Sequence, residues 1–93
     1  MSKFMVFKEV FDARIPDGMR VWTAGTRTHQ FVVVHETQER DDGVGYIASY
    51  RRVASNDSLY LRIPTVRIPG KWETLEEAVQ ACRETQQDLR RMS

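Results

Sequence analysis

Tyr46, Tyr50, Arg52, Tyr60 and Arg62 are the residues whose types and spacing come nearest to a working surface. Tyrosine and arginine dominate interaction hot spots because they combine broad contact area with directed hydrogen bonds. The same pair serves single-stranded nucleic-acid binders, where aromatic faces stack bases and cations follow the backbone. Arg51 and Arg67 lie nearby, but Glu36, Glu39, Asp41, Asp42 and Asp57 share the region and would repel phosphate. The competing structural reading is core tyrosines that keep their hydroxyls wet. A protein interface is therefore the leading expectation for these five residues, and single-stranded nucleic acid the alternative.

Other reactive side chains offer less. His29 and His35 point to one face of a strand, but six residues at ~3.3 Å each hold them roughly 20 Å apart. They cannot share one metal, and no cysteine or histidine spacing completes a zinc site. Cys82 falls on the apolar stripe of a helix, away from the N-terminal end that would favour a thiolate, and reads as core. Glu73, Glu76 and Glu77 complement the positive end of the same helix. Asp41-Asp42-Gly43 with Glu39 lacks the spacing of a calcium hand and reads as a turn. There is no glycine-rich phosphate loop, nucleophile elbow or zinc-protease motif. The expectation is a non-enzymatic protein with no catalytic residue, metal or cofactor.

These residues must be positioned by one small domain spanning 1–93, because 93 residues do not support two cores. A formal net charge of +1 creates no global attraction for nucleic acid or an anionic membrane. Only Lys3, Lys8 and Lys71 are lysines; the other basic residues are arginines, a bias that a GC-rich coding genome also produces. With Cys82 alone, no intrachain disulfide can form, and a cytoplasmic location is expected. The N-terminus lacks the apolar core of a secretory signal, and no apolar run approaches the ~20 residues of a membrane span.

Along the chain, 1–11 fits either a strand or a helical stripe of Phe4, Phe7 and Phe11; the strand is preferred. Ile15-Pro16-Asp17-Gly18 is a turn. Met19 to Ala24 predicts a strand, and His29 to Glu36, with its Phe31-Val32-Val33-Val34 run, predicts a central one buried on both sides. Val44 to Val53 alternates, with Tyr46, Ala48 and Tyr50 on one face and Ile47, Ser49 and Arg51 on the other. Leu59 to Ile63 predicts another strand, ended or bulged at Pro64, with Thr65 to Ile68 as a continuation. Thr74 and Glu77 form a capping box for a helix from Leu75 to about Arg90, whose stripe is Leu75, Ala78, Val79, Cys82 and Leu89.

Strands followed by one terminal helix predict an α+β fold, an antiparallel β-meander of about four strands with the helix packed on one face. Phe31, Val33, Leu61, Leu75, Val79 and Cys82 are the expected core. The expected function is binding: an inhibitor or accessory protein, of the kind a phage or mobile element encodes, that blocks or bridges a host complex. Its partner would be another protein or a second copy of itself, with nucleic acid second and no membrane.

Overall fold

The computed structural model describes residues 5–36, 45–53 and 65–92. The elements are β1 (Lys8–Val10), β2 (Met19–Gly25), β3 (His29–Glu36), β4 (Gly45–Arg52), β5 (Val66–Arg67) and α1 (Leu75–Met92). The strands form one antiparallel sheet in chain order, β1-β2-β3-β4-β5. The expected meander-plus-helix fold is the observed one, with short edge strands bringing the count to five. The expected strand at Leu59 to Ile63 lies outside the described residues.

Local chemistry accounts for the connections. Met19 N–H donates to the Pro16 carbonyl at 3.2 Å, and Gly18 takes φ 83°, a conformation glycine adopts without steric cost. Between β2 and β3, the Thr26 hydroxyl accepts from the Thr28 and His29 amides and donates to the His29 carbonyl. On the far side of β4, Ile68 N–H donates to the Ala48 carbonyl, and Tyr46 and Trp72 exchange both backbone hydrogen bonds. Pro69 has no N–H to give and Gly70 turns at φ 121°, so regular pairing is interrupted between these contacts.

The alternation of the strands sorts side chains into two faces. One carries the cross-strand rows Trp22–Val33–Ala48 and Ala24–Phe31–Tyr50, and Met5 and Phe7 continue it ahead of β1. Helix α1 lies over β3 and β4 on that side. Its contact surface is made of small residues: Ala78 and Cys82 are fully buried and Ala81 nearly so. Opposite them, Phe31, Val33 and Ala48 are also fully buried, so helix and sheet approach closely. Leu75 and Leu89 pack against this core from the flanks. Val79, expected in the core, is only half-buried, while Ala81 takes a core place the stripe did not include. Leu61 lies outside the described residues.

Thr74 caps the helix as expected, but the Glu77 carboxylate reaches back to the Thr74 hydroxyl rather than to the backbone N–H of a full capping box. Glu77 N–H donates to the Thr74 hydroxyl at 3.1 Å, which itself donates to the Glu77 carboxylate at 3.0 Å. Glu76 and Glu77 occupy the first turn, Arg90 and Arg91 the last, each suiting the local end of the helix dipole.

Candidate functional site

The expected site residues of β4 lie on the helix side of the sheet. Tyr46, Tyr50 and Arg52 share one face of β4, as alternation requires, but it is the face that α1 covers. Tyr46 is half-buried and stacks on His35, with ring centroids 4.2 Å apart and planes 17° from parallel; Trp22 lies 5.8 Å away. Tyr50 is half-buried against Phe31 at 5.6 Å and His29 at 5.9 Å. Fully buried Ala48 separates the two tyrosines. Both therefore pack at the margins of the core and remain partly exposed. Arg52 is exposed opposite His29. Tyr60 and Arg62 lie outside the described residues.

The histidines also belong to this side. His29 and His35 are half-buried among rings rather than open to solvent. Burial, reinforced by the Arg52 charge, holds His29 below the ordinary imidazole range. Its Nδ1 lies 2.8 Å from the Thr28 hydroxyl. Cys82 is fully buried, and desolvation pushes its thiol up to about 11, the wrong direction for a nucleophile. Among the described residues, no three of His, Cys, Asp and Glu gather closely enough to hold a metal ion.

One constellation was not legible beforehand. Arg20 donates to both carboxylate oxygens of Glu9, at 2.9 and 2.7 Å, and its guanidinium lies 4.9 Å from the centre of the Trp22 ring. The arginine holds the Glu9 carboxyl below its usual range. Eleven residues separate the two in sequence, and only the β1–β2 register, which pairs Glu9 with Trp22, brings them together. The two charges neutralise one another, so the arrangement braces the sheet edge.

The opposite face has a different composition. Val10, Val21, Val34 and Ile47 are direct cross-strand neighbours and form an apolar row across β1 to β4. The adjacent row runs Lys8–Thr23–Val32–Ser49–Arg67, from one sheet edge to the other. Arg51 follows beside Gln30, donating to its side-chain oxygen at 3.1 and 2.8 Å. The valines and Ile47 are half-buried by their neighbours in the sheet, and α1 lies on the other side. Val6 is 70% exposed and Phe11 86% exposed. Among the described residues, four valines and an isoleucine thus share the sheet face opposite the helix. Sequence reading assigned Phe31 to Val34 to burial on both faces; the signal for an open face was the alternation of β1, β2 and β4 read together.

Comparison with protein-family models, with curated proteins and with solved structures finds no match to this chain. No helix among the described residues is long and apolar enough to cross a membrane.

Proposed function

We propose that this chain is a non-enzymatic binding domain that works by protein–protein contact through the sheet face opposite α1. One observation carries the reading: the Val10–Val21–Val34–Ile47 row lies on the side that α1 does not cover. Contiguous apolar surface of that kind marks interaction sites in soluble domains. Aromatic rings for base stacking belong to the other side, where Tyr46, Tyr50, Trp22 and Phe31 pack together, so support for nucleic acid on the open face is weaker. An inhibitor or accessory role, blocking or bridging a larger assembly, follows from this reading.

The test replaces the row without disturbing the strands. Val21→Thr, Val34→Thr and Ile47→Thr keep branching at Cβ and hence strand preference while removing apolar contact. Tagged wild-type and triple-threonine proteins are compared in affinity capture from the native host. A stoichiometric protein retained by the wild type and lost from a folded triple variant is the expected result. Retention that nuclease abolishes, or that the triple variant leaves intact, would overturn it.

A further inference from the structure

We infer that the occupant of the open sheet face is an acidic amphipathic segment of another protein, an inference that rests on the interface reading above. The row next to the apolar one begins at Lys8 on β1 and ends at Arg67 on β5; both are exposed, and neither is in a salt bridge among the described residues. Four inter-strand spacings of ~4.8 Å put these cations roughly 19 Å apart. Glu36 pairs with Met19 at the end of β3. Two cations thus stand at the ends of the Thr23–Val32–Ser49 row, alongside the Val10–Val21–Val34–Ile47 row, and carboxylates on a partner would meet them at the rim while its apolar side chains cover the neighbouring row.

Charge selects a segment over a second copy of the chain. The long strands run about 24 Å and the sheet about 19 Å across, a patch of roughly 450 Å² in projection. Two copies face to face would bring like charges into one contact, which is unfavourable. One amphipathic helix about 10–12 Å in diameter fits the patch, and about 13 residues at ~1.5 Å each span the distance from Lys8 to Arg67.

The experiment uses two synthetic 18-residue amphipathic peptides with the same leucine face, one with glutamates and one with lysines on its polar face. Each is titrated into the full-length 15N-labelled protein. The glutamate peptide should shift the amides of Val10, Val21, Val32, Val34 and Ile47, leave Ala78 and Ala81 in place, and weaken as salt screens the rim. Lys8→Glu with Arg67→Glu should reduce its affinity by about tenfold or more. Lys8→Gln with Arg67→Gln, gentler on the edge strands, should give a smaller loss of the same sign. Absence of binding, equal or tighter binding of the lysine peptide, or an oligonucleotide shifting these amides at lower concentration would overturn the inference. So would a dimer in sedimentation equilibrium that the triple-threonine variant dissolves. Host capture that is lost with triple threonine but unchanged by the two charge reversals would sink the acidic occupant and leave the interface reading standing.

Discussion

Phe31→Ala should remove about a fifth or more of this domain's stability, while Val32→Ala, one residue away, should remove far less. Phe31 is fully buried, in contact with Tyr50 and on the row shared with Ala24. A buried phenylalanine takes about 150–200 Å² out of water, which at ~25 cal/mol per Å² is about 4–5 kcal/mol. A realistic unfolded chain already hides ~10–40% of that area, while the cavity left behind adds to the loss. The expected cost is therefore about 3–5 kcal/mol, against a total of roughly 5–14 kcal/mol for 93 residues. Phe31→Leu, which largely preserves volume, should cost less than about 1.5 kcal/mol. Val32 is half-buried on the open face, so its truncation should cost about 1 kcal/mol or less. Urea titrations followed by near-UV dichroism, with the denaturant slope unchanged, measure all three. A Phe31→Ala loss under about 1 kcal/mol, or a Val32→Ala loss equal to it, would refute the assignment of faces.

Two further outcomes follow from the helix. Thr74→Ala removes the hydroxyl that accepts from Glu77 N–H and should cost about 0.5–2 kcal/mol by denaturant melt without altering capture of a partner; unchanged stability would mean that the hydroxyl does not cap the helix. Cys82, with its thiol pushed up to about 11 by burial, should react with a thiol reagent at pH 8 only as fast as the domain opens, and fully in denaturant. Because the folded thiol keeps its proton to higher pH than the unfolded one, stability should fall as pH rises from about 9 towards 11, and Cys82→Ala should flatten that slope. Rapid labelling of the folded protein would contradict the burial.

Periodicity and capping chemistry are local, so much of the architecture could be read directly from the chain. Thr74, Glu77 and the Leu75–Leu89 spacing define the helix, because a cap and a 3.6-residue stripe need no knowledge of distant residues. Alternation likewise assigned Tyr46 and Tyr50 to one side of β4 and Ile47 to the other. It could not say which side the helix would take. That choice depends on steric fit between elements far apart in sequence: Ala78, Ala81 and Cys82 are small enough to sit closely on Ala48, Val33 and Phe31. The same choice set Tyr46 and Tyr50 at the margin of the core and Val10, Val21, Val34 and Ile47 on the side away from the helix. The Glu9–Arg20–Trp22 brace and the cations at the two ends of the Lys8–Arg67 row have the same origin. Strand register brings together residues that no local pattern connects, and only the folded sheet sets that register.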